Sequence, residues 1–166
     1  GARIPSFITS LTGISQDMVD NAPPVSRIIP ELLDFIGNDM LSAHNASFDE
    51  KFLKAESERL GLATNHTGLV CSLKLSRRIF PGMPSYKLGQ LSGQLGIRFR
   101  SAAHRAESDA EVAAEVLSHI GSHLGATYRL PSVEPQLLVS VNKLAAAKVP
   151  AYLQKYAQEN TIPQVA

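Results

Sequence analysis

Tryptophan is absent from this sequence, cysteine occurs once, and no apolar run approaches the ~18 residues of a membrane span. The lone thiol, Cys71, excludes an intramolecular disulfide framework and suits a reducing compartment, so a cytoplasmic location is expected. No basic, then apolar, then small-residue signal opens the chain, and no membrane partner is expected. Acidic residues are missing from one long stretch: none lies between Leu60 and Ala106. The same stretch carries Lys74, Arg77, Arg78, Lys87, Arg98, Arg100 and Arg105, although the net charge of the whole chain is only +1. Cations without a local counter-charge point to a surface that faces phosphate. The plain alternative is a solvated face whose acidic partners come from elsewhere in the fold.

The rest of the composition is ordinary for a globular protein. With 166 residues, 44% hydrophobic and 19% charged, the chain fits one domain and an appended segment rather than a disordered polymer. Residues 3–8 read as an extended lead-in, and Ser15–Val19 as a short capped turn. Apolar residues at Val25, Ile28, Ile29, Leu32, Leu33 and Ile36 then predict an amphipathic helix that contains Pro30 and stops at Gly37. Met40–His44 reads as a buried strand leading into a helix over Ser47–Leu60, with Phe48, Phe52, Leu53 and Leu60 as its apolar stripe.

A second strand is predicted at Leu69–Cys71, followed by helices over Leu73–Phe80 and around Leu88–Leu95. The longest helix is predicted over Ser108–Leu124. Its packing face is read as Ala110, Ala113, Ala114, Leu117, Ile120 and Leu124, with Glu111 and Glu115 facing solvent. After Gly125 the chain turns linker-like around Pro131 and Pro135 and then gives two short helices, one opened by Pro150. Strands alternating with helices place the chain in the α/β class.

Chemistry concentrates in two segments, Ser42-Ala43-His44-Asn45-Ala46-Ser47-Phe48-Asp49 and His104-Arg105-Ala106-Glu107-Ser108-Asp109. Each puts an aspartate on the first turn of a predicted helix, shortly after a histidine. Asp49 in addition follows the carboxyl end of a strand, where open α/β sheets bind ligands. Such carboxylates can hold a hard cation directly or through water. A neutral imidazole in the loop ahead of the second helix, His104, can take a proton from an attacking water. A lone aspartate at a helix start is as often a favourable charge on the helix dipole, so the combination carries the weight. His119 and His123 have the i, i+4 spacing of a helical metal pair, but no carboxylate or cysteine completes it, and packing or dipole roles are the stronger reading.

The combination resembles the DEDDh family of 3′–5′ exonucleases, the DnaQ-like group that includes the proofreading epsilon subunit of bacterial DNA polymerase III. His44–Asp49 is similar to the family's second motif, and His104 with Asp109 to its third. Ile4 through Ser15 resembles the stretch between the first two motifs, and Cys71–Arg77 with Tyr86-Lys87-Leu88 the usual intermediate segment. The resemblance spans residues 4 to 124. It implies a ribonuclease H-like exonuclease fold over 1–124, N-terminally incomplete, with 125–166 as a helical extension or the start of a further segment.

It further implies that Asp49 and Asp109 are metal carboxylates in a two-metal Mg²⁺ or Mn²⁺ site and that His104 is the general base. His44, Asn45 and Phe48 would border the bound 3′ end; separately, the acid-free stretch leads to the expectation that Arg77, Arg78 and Lys87 bind nucleic acid. The expected substrate is a single-stranded 3′ end, and the expected partner a DNA polymerase or another replication or repair protein. The sequence departs from the family in one respect: no Asp-x-Glu precedes Asp49. Impaired catalysis is therefore expected of this chain alone. A catalytically silent nucleic-acid-binding or scaffold module and an RNA-trimming exonuclease are the alternatives.

Overall fold

Leu41, Ser42 and Ala43 (β1) run parallel to Leu69, Val70 and Cys71 (β2) in the register Leu41 to Leu69, Ser42 to Val70 and Ala43 to Cys71. Parallel neighbours need a long crossover, and the chain supplies it as a helix, α4 (Ser47–Arg59). The computed structural model describes residues 3–98 and 105–160. Before β1 come α1 (Ser6–Thr12), α2 (Gln16–Asp20) and α3 (Val25–Ile36). After β2 follow α5 (Ser72–Ile79), α6 (Leu88–Gln94), α7 (Ala106–Tyr128), α8 (Pro135–Lys143) and α9 (Val149–Asn160), the last entered through a 3-10 turn at Ala146–Lys148. No described helix is long and apolar enough to cross a membrane.

Among the described residues β1 pairs only with β2, which leaves its other edge bare. The outer edge of β2 is closed by a side chain. The Asn142 amide of α8 accepts from the Cys71 N–H at 2.6 Å and donates to the Cys71 carbonyl at 3.3 Å. One asparagine thus satisfies both backbone groups of a buried strand residue, as a neighbouring strand would. Arg78 adds a second tie from α5 to the end of α8, its Nε donating to the Leu144 carbonyl at 2.9 Å.

The apolar core joins the later elements. Val70 of β2 and Leu75 of α5 pack with Leu91, Val116, Ile120 and Leu124, and with Leu137, Val141, Val149 and Leu153 of α8 and α9. The helices after Gly125 therefore share one core with β2, α5 and α7. The first sixty residues behave differently. All of the strongly exposed large hydrophobics among the described residues lie there, including Phe7, Leu11, Phe35, Phe48 and Phe52.

Three sequence expectations need correction. Residues 6–12 are helical rather than extended: Gly13 closes α1 in a left-handed conformation at φ 70°, its N–H bonding to the Thr9 carbonyl. On α4, Phe48 and Phe52 point out, and only Ser57 is buried. Their rings meet each other at 5.0 Å between centroids, since no described core residue covers them. On α7 the packed face is Ser108, Val112, Ala113, Val116, Ile120 and Leu124, while Ala110 and Ala114 are exposed. The valines remove more apolar area from water than alanines could, and the helix turns to bury them.

Candidate active site and nucleic-acid cleft

The turn between β1 and α4 is the centre of the site. Asn45 takes a left-handed conformation at φ 69°, a region that asparagine tolerates better than most residues. The next residue, Ala46, is fully buried, and the Phe48 N–H returns to the Asn45 carbonyl at 3.0 Å. This sharp reversal carries the chain from the strand end into α4. It leaves Asp49 exposed on the first turn of that helix. Asp109 occupies the first turn of α7, which packs against β1.

Oxygen donors at two helix starts suit a hard divalent cation in kind. They do not suffice in number: among the described residues no group of three His, Cys, Asp or Glu is arranged to hold a metal. His104 and Arg100 lie outside the described residues.

Beside the Asn45 turn opens a cleft of about 640 Å³, lined by His44, Asn45, Leu73, Arg77, Ser85, Tyr86, Lys87 and Leu88. Four residues singled out from sequence, His44, Asn45, Arg77 and Lys87, thus meet in one place although they span forty-odd positions. Arg77 and Lys87 are exposed there, and the Arg77 guanidinium lies 5.8 Å from the centre of the Tyr86 ring. None of the described ion pairs involves either cation. Arg78, by contrast, is half-buried and spends its guanidinium on the Leu144 and Lys74 carbonyls. Phe48 is exposed and outside the lining of this cleft. His119 and His123 meet the Phe80 ring at 5.9 and 4.9 Å between centroids, the first tilted and the second edge-on, which gives the pair a packing role.

His44 is held at both ring nitrogens. Nε2 lies 2.8 Å from the Tyr86 carbonyl and Nδ1 2.9 Å from the Ser72 hydroxyl. A carbonyl only accepts, so Nε2 carries the proton, and in the neutral ring Nδ1 accepts from Ser72. Burial holds the imidazole below its ordinary pKa; the hydrogen bond to Tyr86 opposes that shift, and the nearby Arg77 charge adds to it. A lowered histidine pKa means that the unfolded chain takes up its proton first. Stability is therefore fully present above the ordinary value of 6.5 and is expected to fall as pH drops below it. Urea midpoints at pH 7.5 and about 5.5 check this. The pH dependence should be shallower in His44→Gln; an unchanged dependence would take the effect away from His44, and a steeper one would contradict its sign.

Sequence reasoning missed Tyr86 and Ser72 as site residues. Tyr86 supplies the carbonyl for His44 and the ring under Arg77, and Ser72 the second bond to the imidazole. The available signals were the resemblance of Cys71–Arg77 and Tyr86-Lys87-Leu88 to the family's intermediate segment, and the place of Tyr86 as an aromatic residue inside the acid-free basic stretch.

Comparison with known proteins gives this geometry a setting. The sequence model of the family described as Exonuclease, of the ribonuclease T type, matches residues 1–117. Over 107 residues the chain is 39% identical to the PolC-type DNA polymerase III of Caldanaerobacter subterraneus, an alignment that covers 64% of this chain and 8% of that protein. It is also 39% identical over 107 residues to the 3′–5′ exonuclease DinG of Bacillus subtilis, covering 64% and 11% respectively. With the DNA polymerase III subunit epsilon of Aquifex aeolicus the identity is 32% over 110 residues, 66% of this chain and 54% of the subunit. The chain thus spans about half or much less of each of these relatives. A solved structure of exonuclease X in complex with 5′-overhanging duplex DNA superposes with a TM-score of 0.60 at 24% identity, covering 85% of this chain and 75% of that one. The fold is therefore the ribonuclease H-like exonuclease fold, and with its family's sequence model matching residues 1–117 the chain belongs to the exonuclease family of DnaQ-like type.

Proposed function

We propose that this chain is the catalytic unit of a 3′–5′ exonuclease that trims single-stranded DNA ends in proofreading or repair. The observation that carries the reading is the Asn45 reversal, which leads into the α4 turn bearing Asp49 and itself lines the cleft that presents Arg77 and Lys87. Two exposed cations that take part in none of the described ion pairs can neutralise backbone phosphates and hold a strand whatever its sequence. A carboxylate at the adjacent strand end is where a scissile phosphate and its metal belong.

Asp49 and Asp109 would hold Mg²⁺ or Mn²⁺, together with acidic groups beyond those two. When bound, such an ion supplies positive charge to the phosphodiester and acidifies a water. His104 would accept the proton of that water. The polymerase-linked names of the relatives support a replicative or repair polymerase as partner.

The test is a ladder experiment on a 5′-labelled single strand in Mg²⁺, run on the chain completed by a strand bearing Asp-x-Glu, since the chain alone is expected to be impaired. Stepwise shortening from the 3′ end, abolished by a chelator and by a blocked 3′ terminus, is expected. Internal cuts or loss of the label from the 5′ end would overturn the reading. Faster shortening of the matching RNA strand would move the substrate class to RNA.

A further inference from the structure

We infer that His44 is a positioning residue: its ring is the strut that fixes the Tyr86–Lys87 segment at the mouth of the cleft, and it does not itself contact nucleic acid. The inference rests on the reading that this cleft grips a strand, and it deepens that reading.

The geometry leaves the imidazole no free valence. Nε2 is committed to the Tyr86 carbonyl at 2.8 Å and Nδ1 to the Ser72 hydroxyl at 2.9 Å. A phosphate oxygen would need a donor, and the one N–H of the neutral ring is already used. The ring joins three pieces of chain: the end of β1, the first turn of α5 through Ser72, and the loop ahead of α6 through Tyr86. Ser72 Oγ also lies 3.4 Å from the Ala43 carbonyl, which brings the start of α5 back to β1.

From its other side the loop is clipped by its own tyrosine. The Tyr86 hydroxyl donates to the Phe80 carbonyl at 2.7 Å and accepts from the Met83 N–H at 3.3 Å. Tyr86 is therefore held at its hydroxyl by its own loop and at its carbonyl by His44. Lys87 follows directly, and Arg77 sits against the Tyr86 ring. Moving the Tyr86 carbonyl displaces Lys87 and the surface under Arg77 together. Losing the strut would cost the cleft its cations without removing either one.

A double-mutant cycle on the full chain decides the matter. The probe is a fluorescein-labelled single-stranded oligodeoxynucleotide, with anisotropy read over a salt series in a chelator so that binding is separated from cleavage. Lys87→Ala should lower the salt slope by about 0.7, the loss of one contact on a single strand. His44→Ala should lower it by at least that amount, up to about 1.4 for the two cations, and Lys87→Ala in that background should add little. His44→Gln, whose amide N–H can still reach the Tyr86 carbonyl, should recover most of the affinity. Arg78→Ala, placed by its bonds to Leu144 and Lys74, should lower the melting temperature and leave the slope unchanged.

Additive losses at positions 44 and 87 would overturn the inference, since a direct contact adds and a strut does not. Should His44→Ala fail to fold, Ser72→Ala takes its place in the cycle: coupling to Lys87 is again expected, and additivity again overturns it. No effect from Lys87→Ala and Arg77→Ala together would remove the cleft reading itself, which is a different failure.

Discussion

In the chain completed by a strand bearing Asp-x-Glu, replacing His104 by alanine is expected to slow metal-dependent cleavage by about 10²–10⁴-fold, the usual cost of losing a general base. Affinity for a single strand should stay unchanged, because the proposed grip lies with Arg77 and Lys87 in a different part of the chain. The separation of the two effects is the informative part. Loss of rate at constant affinity removes an interaction made only in the transition state. Single-turnover cleavage of a labelled strand, with anisotropy in a chelator as the binding control, measures both. His104→Ala should also flatten the acid limb of the pH–rate profile, since the titrating base is gone. A mutant that cleaves at the wild-type rate would take the base assignment away from position 104.

Much of the fold could be read ahead of the structure where the signal is local. The strand Leu69–Cys71 and the helix Val25–Ile36 with its Gly37 stop lie where apolar rhythm and a helix breaker place them. The misreadings concern which side of a helix finds partners. Phe48 and Phe52 form a stripe at helical spacing, yet nothing described packs on them and both rings are exposed. Spacing reports that residues share a face; it says nothing about what lies opposite. Helix α1 was missed because serine, threonine and isoleucine are weak helix formers, and Gly13 rather than the helix body carries the stop.

The candidate site divides along the same line. A position fixed by a short motif, such as that of Asp49 at the start of α4, is visible in the sequence. The partners of His44 are not, for Ser72 and Tyr86 stand 28 and 42 positions away and are ordinary residues by type. Arg77 and Arg78 look identical in a charge count. One turns into the cleft and the other ties α5 to α8, a difference set by the helix phase against its neighbours.

The acid complement governs the largest effect. Cleavage by this chain alone is expected to be feeble, and to rise by about 10³-fold, or ~4 kcal/mol of barrier, when a strand bearing Asp-x-Glu is supplied along the bare edge of β1. Asp49 and Asp109 give two carboxylates, and two dications need more negative charge than that to be held and balanced. The β1 edge is the place for the addition. Among the described residues no strand pairs with it on the side away from β2, and a free strand edge makes a template for another strand. The uncovered hydrophobics of α1, α3 and α4, Phe35 above all at 86% exposure, offer apolar surface against which an added layer could pack. Such a strand should raise the melting temperature as well as the rate. Its Asp→Asn, Glu→Gln counterpart should keep the stability and lose the rate, which separates filling the fold from completing the metal site. Comparing the three forms on one labelled strand in Mg²⁺ is the measurement. Full metal-dependent turnover by the chain alone would show that carboxylates other than Asp49 and Asp109 hold the metals.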